Sequence, residues 1–127
     1  MKRSHAIVLM TILLLVAGCA KAQASAAEPV EAYLQAIVDQ DVDRLSTLVC
    51  ADYADAALLE LDAFMGVEAT LQDVKCSELE TVENDATVTC TGAIVATYNN
   101  EQQEFSLVGR QYQLVQEGGE WLVCGYQ

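Results

Sequence analysis

Four cysteines, Cys50, Cys76, Cys90 and Cys124, are the residues of this chain best placed for covalent chemistry. Their spacings of 26, 14 and 34 residues contain no Cys-x2-Cys pair, and the single histidine, His5, sits just before an apolar run near the N-terminus. A close-ligand zinc site is therefore not expected. In an exported chain such an even set reads as two disulfides. The stretch Asp39-Gln40-Asp41-Val42-Asp43 has the alternating acids of a calcium loop. An EF-hand needs glycine at the sixth position and an acid at the twelfth. Arg44 and Cys50 stand there instead, so these acids read as a helix break and cap. Gly109, Gly118 and Gly119 form no phosphate loop. No metal and no cofactor is expected.

The fifth cysteine belongs to a different pattern. Lys2 and Arg3 precede an apolar segment, Ala6 to Ala17, broken only by Thr11, and Val16-Ala17-Gly18-Cys19 closes it. This resembles the lipobox of bacterial lipoprotein signal peptides, in which the cysteine becomes the lipidated first residue. A transmembrane helix needs about 20 apolar residues, and this run is shorter, with the charged head and small-residue exit of a signal peptide. The resemblance implies a signal peptide over 1–18, a lipidated N-terminus and tether over 19–28, and a domain over 29–127. It places the protein in the bacterial cell envelope, exported and membrane-anchored by lipid on Cys19.

Cleavage before Cys19 would leave 109 residues, enough for one domain. It would also discard His5, so that neither a Ser-His-Asp nor a Cys-His arrangement could be assembled. The net charge of −13 would deepen to −15, with four cations against 19 acids. Lys21, Arg44, Lys75 and Arg110 are scattered. Nucleic acid is excluded as a partner, because phosphate binding needs clustered cations.

The elements that must position any site can be read from periodicity. Pro29 suits a first helical turn, and Val30, Tyr33, Leu34, Ile37 and Val38 recur at helical spacing. Asp41 caps a short second helix carrying Leu45, Leu48 and Val49. Asp52 is the expected cap of a third, with Leu58, Leu61, Phe64 and Met65 inward and Gly66 ending it. Four strands follow, at roughly 67–82, 86–98, 103–116 and 120–126, separated by turn residues. In the second, Val88, Cys90, Ile94, Ala96 and Tyr98 share one face and threonines the other. In the first, Val67, Ala69 and Leu71 share a parity that Val74 and Cys76 reverse. A bulge near Gln72-Asp73 would reconcile them and bend the sheet. The fold class is α+β, N-terminal helices packed on a curved antiparallel four-stranded sheet.

The helix leading into Asp41-Val42-Asp43-Arg44-Leu45, the following Leu48, and the closing Gly119-Glu120-Trp121-Leu122-Val123 resemble the NTF2-like (cystatin-like, SnoaL-like) superfamily. The resemblance spans about 29–127 and implies a cone whose wide end can hold a pocket. Enzymes of that superfamily use an Asp base, often with His or Tyr. Here the pocket candidates are Tyr33, Tyr53, Tyr98, Arg110 and Tyr112, with Asp41 better read as a cap. Strand placement pairs Cys76 with Cys90, which leaves Cys50 for Cys124. A two-residue Gly118-Gly119 turn sets Cys124 beside Gln113 on the wetter face, which argues against that link. Cys50–Cys76 with Cys90–Cys124 is the rival. The functional expectation is a non-catalytic, lipid-anchored domain, not an enzyme, that binds a small ligand or a protein partner. The alternatives are an isomerase or dehydratase using a buried Asp or Tyr, and a homodimerisation module.

Overall fold

The computed structural model describes residues 24–127. The expected signal peptide and Cys19 lie outside them. Helix α1 (Ala27–Asp39) buries Val30, Tyr33, Leu34, Ile37 and Val38, the five residues whose spacing announced it. Gln40 ends it in the left-handed region (φ 56°), and its side-chain amide donates to the carbonyls of Phe64 (2.7 Å) and Val67 (3.0 Å). Asp41 then caps α2 (Val42–Leu48) by accepting from the Arg44 amide at 3.0 Å. A 3-10 turn at Ala51–Tyr53 leads into α3 (Ala54–Asp62).

Two expectations about α3 are corrected. Asp52 does not cap it, because that residue lies inside the 3-10 turn and no side chain caps α3. Met65 is exposed, because the helix ends at Asp62 and the chain turns before Gly66.

The sheet has five strands: β1 (Glu68–Val82), β2 (Asp85–Tyr98), β3 (Glu101–Ser106), β4 (Gln111–Glu117) and β5 (Glu120–Tyr126). The segment expected as one strand over 103–116 is thus two. Leu107 to Arg110 forms a turn closed by the Arg110 amide on the Leu107 carbonyl at 3.1 Å, with Gly109 at φ +91°. All pairings between strands are antiparallel, in the order β1-β2-β4-β5. Strand β2 pairs with β4 through its first half and with β3 through its second.

The fork in β2 coincides with the bulge read from parity. Gln72 faces Ala93 and Lys75 faces Thr91, so Asp73 and Val74 together oppose Gly92. Gly92 has φ +87°, and a Cβ there would stand 2.5 Å from the carbonyl oxygens of Gln72 and Asp73. Only glycine allows that approach. The bulge bends the sheet around α1, and the core lies between them, with Leu34, Ile37, Leu45, Leu61, Ile94, Leu107, Leu114 and Val123 fully buried. Among the described residues no helix is long and apolar enough to cross a membrane.

Two cysteine pairs stand at disulfide distance. Cys76 and Cys90 are register partners on β1 and β2, with Cα atoms 4.0 Å apart. Cys50 and Cys124 have Cα atoms 5.3 Å apart. Cys124 does leave the core-facing side of β5, but Cys50 meets it there. Val49 bridges Val123 in parallel, and the Cys50 amide donates to the Val123 carbonyl at 3.0 Å, so the chain before Cys50 runs as an edge extension of the sheet. Two such pairs fit an oxidising compartment outside the cytoplasm.

Candidate functional site

Four of the five expected pocket residues converge. Tyr33 projects inward from the middle of α1 and is fully buried. Tyr112, on β4, meets it edge-on with ring centroids 6.3 Å apart. Tyr53, from the 3-10 turn, brings its hydroxyl 3.3 Å from that of Tyr33. Arg110 enters from the turn before β4. Tyr98 stays apart: it ends β2, opposite Glu101.

The group that ties the cluster together is one the sequence did not suggest. Glu60, on α3, accepts a short hydrogen bond from the Tyr33 hydroxyl on Oε2 and an ion pair from Arg110 Nη1 at 3.3 Å on Oε1. Its side chain is 13% exposed and that of Arg110 24%. Tyr126, the second addition, lies 5.3 Å from the Tyr112 ring, and the Arg110 guanidinium sits 4.7 Å over its face.

A bulge explains why Tyr126 is there. Trp121 and Val123 point into the core, and regular alternation would turn Tyr126 outward. Leu114 pairs with Val123, but Tyr112 pairs with Tyr126, so Cys124 and Gly125 together oppose Gln113. The extra residue returns Tyr126 to the inner face, and reciprocal backbone bonds between Gln111 and Gln127 (2.8 and 3.1 Å) close the end. Gly125 supplies the φ of +139° at this bulge.

The surroundings raise the pKa of all four phenols of the cluster. Burial, then the negative charge of Glu60, holds Tyr33 far above the ordinary phenol range. Burial pushes Tyr112 up to about 12, with the neighbouring Arg110 pulling the other way. Tyr53 and Tyr126 are raised as well, chiefly by burial. The Tyr112 hydroxyl is buried and makes no hydrogen bond. The arrangement therefore offers a carboxylate acceptor, a guanidinium and phenolic donors, one of them unpartnered. Among the described residues, no three His, Cys, Asp or Glu side chains gather as metal ligands.

No family model matches this chain, and no curated protein matches it. Solved structures do. The intermembrane space region of the chloroplast protein ARC6 is 13% identical, with 79% of this chain and 90% of that one covered and a TM-score of 0.57. A provisionally assigned ketosteroid isomerase from Shewanella frigidimarina is 16% identical, with coverage of 80% and 93% and a TM-score of 0.53. A provisionally assigned dehydratase of the NTF2-like family from Streptomyces avermitilis is 15% identical, with coverage of 78% and 88% and a TM-score of 0.52. At such identities the likeness is one of fold: the chain folds as an NTF2-like, cystatin-like cone.

The expectation that the chain is not an enzyme is corrected. The same cone carries enzyme assignments in two of these neighbours. The case against catalysis rested on the loss of His5 and on Asp41 being a cap, and Glu60 is an acid that neither consideration covers.

Proposed function

We propose that the protein is a lipid-anchored cell-envelope protein whose NTF2-like cone binds a small polar molecule at the Tyr33–Glu60–Arg110–Tyr112 cluster. One observation carries this reading: a fully buried phenol, Tyr112, has no partner for its hydroxyl beside a carboxylate and a guanidinium that are both partly exposed. An unpartnered buried hydroxyl costs about 1–3 kcal/mol, a cost that a ligand accepting its hydrogen bond would remove. Anchoring through Cys19 is supported by the lipobox resemblance and by paired cysteines that suit an exported domain.

Native mass spectrometry of the protein isolated from its own membrane tests both halves. The expected mass carries an acylated Cys19 and a non-covalent small molecule that is lost in Glu60→Gln and Tyr112→Phe. Wild-type protein without bound mass, unshifted in its tyrosine resonances by a panel of cyclic ketones, phenols and short carboxylic acids, would refute the binding reading.

A second reading, acid–base turnover of the bound molecule, is favoured by the Tyr33–Glu60 hydrogen bond, which joins a proton donor to a proton acceptor. The acceptor is then Glu60, where the expected alternative had a buried Asp or Tyr. Solvent deuterium entering a cyclic ketone next to its carbonyl, abolished by Glu60→Gln, would support it. No incorporation above the buffer rate would exclude it for that class.

A further inference from the structure

The chain enters the fold at a fixed point. The Trp121 indole Nε1 donates to the Ala24 carbonyl at 3.1 Å, and the Ala26 amide donates to Glu78 Oε1 at 2.6 Å. Ala26 is fully buried. Beside this entry, a shallow groove of about 430 Å³ runs between α1, α2 and β5, with Pro29, Ala32, Leu48, Trp121 and Leu122 among its walls. Ala24 stands only five positions after Cys19, a reach of at most about 18 Å. That reach cannot carry the entry point around a domain whose strand β4 alone is about 20 Å long.

The candidate site lies at the other end of that strand. Gly118 and Gly119 follow β4 on the entry side, whereas Arg110 precedes it and Tyr126 pairs with Tyr112 at its start. Val108, exposed at the β3–β4 turn, belongs to this far end.

We propose that the entry end of the domain, with the Pro29–Trp121 groove and the Gly118-Gly119 turn, is held against the bilayer while the Tyr33–Glu60–Arg110 cluster opens away from it. The inference rests on the anchoring reading above and adds a partner surface and a ligand class. The partner is the lipid headgroup layer. The ligand is water-soluble and arrives from the aqueous side, because the cluster does not face the membrane. Charge sets the character of the contact. Glu28 and Glu120 line the groove, and Glu78 holds the entry. Zwitterionic headgroups are therefore tolerated, whereas anionic ones push the end outward within a Debye length of about 10 Å at 0.1 M salt.

Trp121 is the sole tryptophan and serves as the probe. The full chain, processed in a bacterial host, is reconstituted into phosphatidylcholine vesicles bearing dansyl-labelled headgroups, and energy transfer from Trp121 is measured. A second protein, Val108→Trp, keeps Trp121 and adds a reporter at the far end. Strong transfer is expected from the parent, and the mean transfer per tryptophan should fall by nearly half in Val108→Trp. Replacing part of the lipid with phosphatidylglycerol should lower the parent's transfer at low salt, and salt should restore it. Equal mean transfer in the two proteins, with circular dichroism confirming both folded, would overturn the orientation. An unmodified Cys19 in the mass spectrum would defeat the anchoring itself, and the orientation with it.

Discussion

Replacing Tyr112 by phenylalanine removes one oxygen atom and tests the description of the cluster directly. In the folded protein this phenol ionises only near about 12, whereas in the unfolded chain it does so near 10.0. Above pH 10 the unfolded state releases a proton that the folded state keeps. The stability this group contributes is therefore intact below pH 10 and is lost as pH rises through 12. Two pH units correspond to about 2.7 kcal/mol in full, of which about 1.4 kcal/mol is lost by pH 11. Tyr33, shifted further in the same direction, loses a similar amount by pH 11, and together they approach 3 kcal/mol of a total stability of roughly 5–15 kcal/mol. A phenylalanine ring cannot ionise, so the drop between pH 8 and pH 11 should be smaller in Tyr112→Phe by about 1.4 kcal/mol. At pH 8 the variant should be at least as stable as the parent, because the hydroxyl it lacks is buried without a partner. Urea unfolding followed by Trp121 fluorescence at both pH values measures all four stabilities. Equal drops in the two proteins would refute the buried-phenol argument. A loss above about 1 kcal/mol at pH 8 would mean that the hydroxyl has a partner after all.

Gly92→Ala places a methyl carbon 2.5 Å from two backbone oxygens at φ +87°. It should destabilise the domain by about 3 kcal/mol or more in the same urea assay, against about 1–2 kcal/mol for Gly109→Ala, which carries the strain of φ +91° but whose Cβ meets open space. Opening Cys50–Cys124, which spans 74 residues, should cost about 4 kcal/mol by the loop-entropy estimate, against about 3 kcal/mol for Cys76–Cys90, which spans 14. Calorimetry of the two double-serine variants checks the order. Asp41→Ala should lower stability by about 1 kcal/mol through loss of the α2 cap, with Asp41→Asn recovering most of it.

Periodicity makes the helices and most strand faces readable without coordinates. The five inward residues of α1 repeat at helical spacing, and the alternating threonines of β2 mark its outer face. The first bulge is readable too, because its two halves carry hydrophobic residues of opposite parity, Leu71 before it and Val74 and Cys76 after it. The split between β3 and β4 is not. Leu107 and Val108 look like strand residues, and only Gly109 hints that the chain turns there.

The site is half readable for the same physical reason. A bulge is legible when apolar residues flank it on both sides, and the one in β5 has only Tyr126 beyond it. With Tyr126 the one apolar residue after Gly125, parity carries no second vote, so Tyr126 falls on the wrong face and Cys124 looks unreachable from Cys50. Glu60 is hidden differently. It sits between Leu59, which is exposed, and Leu61, which is buried, at the boundary of the α3 apolar face. A carboxylate there is normally solvated, and nothing local says that Tyr33, 27 residues earlier, will offer its hydroxyl. The pairing depends on α1 and α3 packing side by side, a fact of tertiary structure. Chemistry in this fold is therefore assembled from residues whose sequence neighbourhoods look inert. The convergence of Glu60, Arg110 and four phenols in a chain this acidic is better tested by the oxygen removed at Tyr112 than by any motif.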